Sequence, residues 1–166
     1  MKSLVNLGTV LLQQRKLEDA EDQLRQALEL DRKVFGDRHP ETLKTMNNLA
    51  LTLRELGSVR EAEGLHRETL AIQHVVLGPG HPDTQRSLLN LINLVRGQGR
   101  ISVIRPLVEE LVAAKRERAT SASATPEDLN DYAWILLTCE LPDLRDPAVA
   151  LLVAERAVDL DDSREP

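Results

Sequence analysis

Residues 43–84 read LKTMNNLALTLRELGSVREAEGLHRETLAIQHVVLGPGHPDT, and the fold is decided by how this stretch recurs. Moved back by 42 residues it matches what precedes it: Asn48 falls on Asn6, Leu49 on Leu7, Leu53 on Leu11, Ala62 on Ala20 and Leu70 on Leu28. Gly78, His81, Pro82 and Thr84 fall on Gly36, His39, Pro40 and Thr42. Moved forward, Asn48 falls on Asn90, Leu49 on Leu91, Gly57 on Gly99 and Val59 on Ile101. A fixed period of this length marks stacked repeats, each a unit that cannot bury its apolar face alone. It divides the chain into repeats at 1–42, 43–84, 85–125 and 126–166, read as one repeat domain over 1–166.

Each repeat predicts a helix, a turn and a second helix. In the first, Leu4, Leu7, Leu11 and Leu12 recur at helical spacing, and polar residues 13–16 mark a turn. Leu17, Ala20, Leu24, Ala27, Leu28 and Val34 form the next apolar stripe. The second repeat is the best punctuated. His39-Pro40-Glu41 sets proline at a first helical position and an acid in the first turn, both favourable there. Gly57 suits a left-handed helix end, and Ser58 with Glu61 has capping-box spacing. Gly78-Pro79-Gly80 stops the second helix, and His81-Pro82-Asp83 starts another.

The later repeats are less regular. Leu88, Leu91, Leu94 and Val95 make a helix that Gly99 ends. Pro106 then falls inside the next helix, where it removes a hydrogen bond, so a late start or a kink near Arg105 is expected. A small polar linker, 119–125, replaces the glycine-histidine-proline connector. Thr125-Pro126-Glu127-Asp128 opens a helix that carries Tyr132, Ala133, Leu136 and Leu137. After a longer turn at 140–146, Asp146-Pro147 caps a helix with Ala150, Leu151, Ala154, Ala157 and Val158.

Composition narrows the function. The chain is 42% apolar and only 2% aromatic, with one Phe, one Tyr and one Trp, which suits close-packed helices and suits a β-sandwich poorly. Its net charge of −6 leaves no excess of cations to displace counterions, so broad nucleic-acid binding is not expected. Cys139 is alone, which excludes an internal disulfide and suits a reducing, cytoplasmic setting. No apolar run approaches the roughly 20 residues of a membrane span. The opening MKSLVNLGTVLL begins like a signal peptide, but Gln13, Gln14, Arg15 and Lys16 follow with no small-residue cleavage site, and its register with repeat two favours a folded helix.

These residues resemble a known family. Asn47-Asn48-Leu49-Ala50, Leu53, Gly57, Glu61-Ala62-Glu63, Leu70, Gly78 and His81-Pro82-Asp83-Thr84 are similar to the tetratricopeptide repeat of the kinesin light chain type. Such repeats are longer than the roughly 34 residues of the common form. The resemblance covers the first two repeats and the first half of the third. Repeat four, with Tyr132-Ala133-Trp134 and Leu144-Arg145-Asp146-Pro147, resembles the variant that closes such arrays in bacterial multidomain proteins. The resemblance implies an all-α, right-handed superhelical solenoid of about four helix pairs. It also implies a concave groove lined by first helices, whose asparagines hold a peptide backbone. Carried over by position, that role falls to Asn6, Asn48 and Asn90, while Asp131 breaks the row in repeat four. The other reading is that these asparagines bond neighbouring helices.

Helical spacing sets Lys2, Lys44 and Arg86 on the same face about one turn earlier, and Arg54 and Arg96 about two turns later, against Glu55, Glu127 and Asp131. The expectation is a locally basic groove that draws an acidic peptide; a solvated face is the plain alternative. Trp134 falls toward the same face by register, either stacking on a partner or packed against repeat three. Val5 and Leu51 stand where the chaperone-tail carboxylate clamp needs Lys and Asn, so that role is excluded.

Catalytic chemistry is not visible. His39 and His81 recur in equivalent connectors and read as structural caps, while His66 and His74 are two turns apart, too far to share one ion. Gly97-Gln98-Gly99 is a helix stop with no strand before it, and Cys139 reads as a small buried residue. The expectation is therefore a non-enzymatic interaction scaffold with no cofactor and no metal, which holds a protein or peptide partner on Asn6, Lys44, Asn48, Arg54, Arg86, Asn90, Arg96 and Trp134. Neither nucleic acid nor a membrane is expected as a partner. The sequence begins inside a helix and ends without a clear capping helix. Either it is a piece of a longer signalling or scaffold protein, or its open ends pair with another copy.

Overall fold

A computed structural model of the chain describes residues 7–8, 10–12 and 14–162. Among these residues every regular element is helical. The contacts divide the chain into two compact units, up to Gly99 and from Arg100 onward.

In the first unit, helical residues at 7–8 and 10–12 form α1. They are followed by α2 (Leu17–Phe35), α3 (Pro40–Glu55), α4 (Val59–Val76) and α5 (Pro82–Gly97). Consecutive helices pack on one another from α2 through α5. The expected stripe forms a core: Leu24 and Leu28 pack with Leu43, Met46, Leu49, Leu53, Ala62 and Leu94. Removal of these side chains from water is the main force holding the helices together. Val34 does not join them; it is 57% exposed, and Asp31 is the buried residue of that last turn. The apolar face of α2 has rotated away from the core before Val34 is reached.

Helix ends of the first unit follow the sequence with one exception. His39 and His81 both cap: each Nδ1 accepts a backbone N–H, from Glu41 at 3.2 Å and from Asp83 at 3.1 Å. Imidazole nitrogen thereby does what a serine or aspartate oxygen does at other helix starts. Gly57 takes the left-handed conformation (φ 82°) just after α3. The capping box expected of Ser58 and Glu61 is absent, since Ser58 makes no side-chain cap bond. Glu61 is instead drawn 2.8 Å from Arg25 of α2.

The second unit holds α6 (Ile101–Thr120), α7 (Pro126–Thr138), a short 3₁₀ turn (Pro142–Leu144) and α8 (Pro147–Asp162). The expected late start at Pro106 is not found: α6 begins at Ile101 and runs through the proline. Thr125 and Asp128 form a full capping box on α7, which completes the start the sequence indicates. Asp146 caps α8, its Oδ1 accepting from Val149 N at 3.0 Å. Leu129, Tyr132, Ala133 and Leu136 pack with Ala119, Ala150 and Ala157. Leu151 and Val158, expected on the buried stripe of α8, are 62% and 59% exposed. The alanines occupy that buried face, because small side chains let α7 and α8 approach closely.

Candidate functional site

A groove of about 580 Å³ opens in the first unit. Lys44, Asn48 and Leu51 of α3 line it with Arg86 and Asn90 of α5, and Gln73 and Leu77 close it from α4 and its end. Its walls follow from the repeat. Glu41, Lys44 and Asn48 are three and four residues apart, so they share one helix face. Asp83, Arg86 and Asn90 stand 42 residues further on with the same spacing. The groove is therefore lined twice by the same set: an acid, a base and a carboxamide.

Four expected residues, Lys44, Asn48, Arg86 and Asn90, are thus brought together. Asn6 lies outside the described residues, as does Lys2. Arg54 and Arg96 do not line the groove. Arg54 is paired with Glu55 at 2.8 Å and borders a smaller hollow with Leu12, Arg15 and Leu17. Arg96 donates to Asn93 Oδ1 at 2.9 Å. Trp134 belongs to the second unit and is 69% exposed, so it is not the packed core residue that one reading expected.

The charges differ from the expected basic surface. Lys44 Nζ sits 3.0 Å from Glu41 Oε1, and Arg86 is held by Asp83. Both acids line the groove beside the bases they neutralise. Helical spacing explains this: a base three residues after an acid meets it on the helix surface. The nearest acids to these bases are therefore Glu41 and Asp83 on their own helices, not Glu55, Glu127 or Asp131.

Behind the groove lies a polar connection that repeat matching did not single out. Asn47 of α3 donates from Nδ2 to Ser87 Oγ of α5 at 2.7 Å. Its Oδ1 faces His66 Nδ1 of α4 at 3.2 Å, so Nδ1 carries the imidazole proton in this contact. One carboxamide therefore ties three helices. His66 is fully buried and its Nε2 has no hydrogen-bond partner. Burial, with a smaller contribution from the positive charge of Arg54, lowers its pKa to about 4. The available signal was positional: His66 stands where the neighbouring repeats place Leu24 and Val108, both buried.

Among the described residues no group of three or more His, Cys, Asp or Glu is placed to hold a metal ion. No described helix is long and apolar enough to cross a membrane. Cys139 is buried as a free thiol.

Residues 1–73 match the tetratricopeptide repeat family. The fold is that of its kinesin light chain-like members. It is similar to a kinesin light chain-type protein of Podosopora anserina with nearly identical TPR-like repeats. There the TM-score is 0.65 at 21% identity, over 99% of this chain and 76% of the other. It is also similar to BtubC (BKLC) from P. vanneervenii, with a TM-score of 0.66 at 15% identity, over 98% of this chain and 65% of that one. No curated protein matches the sequence. Tetratricopeptide repeats generally mediate protein–protein interaction, and such scaffolds are generally not enzymes.

Proposed function

We propose that the groove between α3 and α5 holds an extended segment of a partner protein. The observation that carries this reading is the recurrence of acid, base and carboxamide on the two helices that line it. A carboxamide both donates and accepts, so Asn48 and Asn90 can each engage a peptide group of any sequence. Two such residues one repeat apart fit a backbone that runs across both helices.

Lys44 and Arg86 have a second role in this reading. An acidic segment enters by exchange, its carboxylates replacing Glu41 and Asp83 on the two bases. Because each base already has a partner, the groove exerts little long-range pull, and affinity for such a segment changes only slightly with added salt. Arg54, Arg96 and Trp134 lie outside this site. A lone buried thiol suits a reducing compartment, and we place the protein in the cytoplasm.

The test begins with peptides selected from a random library against the whole chain. Replacing Asn48 and Asn90 together by Ala is expected to weaken a selected peptide by roughly ten- to a hundredfold, with helix content by circular dichroism unchanged. Unaltered affinity in the double variant would remove the groove from the mechanism.

A further inference from the structure

The floor of the groove holds a side chain that the rest of the protein does not satisfy. Gln73 of α4 is 2% exposed, and its Oε1 has no hydrogen-bond partner. Native proteins leave few buried polar atoms unbonded, and each one calls for a physical reason.

The preceding repeat shows how the equivalent atom is closed. Asp31 occupies the position 42 residues before Gln73, and it too is buried. There Thr45 Oγ1 donates to Asp31 Oδ2 at 2.7 Å and closes the contact. The hydroxyl equivalent to Thr45 is Ser87, 42 residues on. Ser87 Oγ accepts from Asn47 Nδ2 at 2.7 Å, and Gln73 Oε1 receives no bond from it. Thr84 repeats the pattern: Thr42 Oγ1 donates to Gly36 O at 2.8 Å, while Thr84 Oγ1 is buried without a partner. The interface that closes on itself between α2 and α3 is left open between α4 and α5, and Gln73 lines the groove there.

We infer that Gln73 is a further peptide-binding residue, its Oε1 accepting a main-chain N–H from the bound segment. This inference rests on the groove reading above and adds a sequence rule to it: proline is excluded at the segment position that faces Gln73. With Asn47, Asn48 and Asn90, Gln73 makes a fourth carboxamide on the groove, contributed by the helix between α3 and α5.

The experiment uses a peptide selected from the random library against the whole chain, and its N-methyl scan. Gln73→Met keeps the length and shape of the side chain and removes the acceptor. It is expected to bind the peptide about tenfold more weakly. Its melting temperature should be equal to or above that of the native chain, since no internal hydrogen bond is lost. N-methylation at one peptide position should weaken binding to the native protein and leave binding to Gln73→Met unchanged. Native-like affinity in Gln73→Met, with Asn48→Ala/Asn90→Ala still impaired, overturns the role of Gln73 and keeps the groove. If the double asparagine variant also binds normally, the groove reading fails and the inference fails with it. A lowered melting temperature in Gln73→Met would show a structural bond and overturn the inference equally.

Discussion

The first two repeats share a period and differ in what their polar residues do. In repeat one Asp31 is closed by Thr45, and Thr42 is closed on Gly36 O. In repeat two the equivalent Gln73 and Thr84 are left open, and Ser87 is tied to Asn47 and, through it, to His66. The turns differ in the opposite sense. Repeat two turns on Gly57, whereas repeat one turns on Arg15, a residue with a side chain held at φ 58°. An identical backbone architecture thus supports a closed interface beside a strained turn, then an open interface beside a relaxed one. The same helix contacts can be kept while polar groups are released toward a groove, provided another network replaces the lost ties.

The comparison is broken most severely by removing that replacement. Asn47→Ala deprives both His66 and Ser87 of their partner while they remain buried. The expected loss is about 4 kcal/mol, from two unsatisfied polar groups and a small void. Urea unfolding followed by circular dichroism reads it directly. Replacing Asn47 and His66 together by Leu, the residue type of repeat one at His66, should recover most of the loss, since removing both partners leaves less to satisfy. If Asn47→Ala alone changes stability by less than about 1 kcal/mol, the three-helix tie does not replace the closed interface.

Acid should affect repeat two in the same direction and somewhat less. His66 is neutral in the fold, with its pKa lowered from 6.5 to about 4, while in the unfolded chain it titrates at its ordinary value. Between those values the unfolded state binds the extra proton. Stability is therefore full above pH 6.5 and falls as the pH approaches 4, by about 3 kcal/mol over the whole window. Carboxylates titrate in the same range, so the informative quantity is the difference between the native chain and His66→Leu. The gap between the two should narrow or invert toward acid in favour of the leucine variant. Parallel pH profiles would mean that His66 is not held neutral.

Much of this contrast was legible in the sequence as architecture and little of it as chemistry. Period, helix pairs, the histidine caps at His39 and His81, and the glycine turns follow from residues that recur. Backbone conformation demands them, and the backbone repeats. Lys44, Asn48, Arg86 and Asn90 were found for the same reason. The pairing of Lys44 with Glu41 was missed because the weighing of charge passed over the acid one turn away. Asn47, His66 and Gln73 were missed because they depart from the repeat. Matching by period rewards likeness, and this network consists of positions where likeness fails. Exposure was misjudged at Val34, Leu151 and Val158, where apolar character alone does not fix which way the residue faces. Burial depends on the neighbouring helix, and the period of one helix does not contain it.

The smallest effect concerns the turns, and it tests whether the repeats are interchangeable in backbone. Arg15, Gly57 and Gly99 all have positive φ and are spaced by the period. The turn bonds of the first two correspond as well: Lys16 N reaches Leu11 O at 2.9 Å, and Ser58 N reaches Leu53 O at 2.8 Å. A side chain in this conformation costs about 1–2 kcal/mol relative to right-handed backbone. Glycine returns about 0.5–1 kcal/mol of that through the entropy it loses on folding. Arg15→Gly is therefore expected to stabilise the chain by about 0.5–1 kcal/mol, and Gly57→Ala to destabilise it by a similar amount. A Cβ on Gly57 would meet nothing within 4 Å, so any loss there comes from the backbone alone. The pair of variants, measured by thermal unfolding, should shift in opposite directions. If Arg15→Gly instead lowers stability, the side chain of Arg15 earns its place through the hollow it shares with Leu12, Leu17, Leu51 and Glu55. The first turn would then be fixed by packing, and the second by conformation.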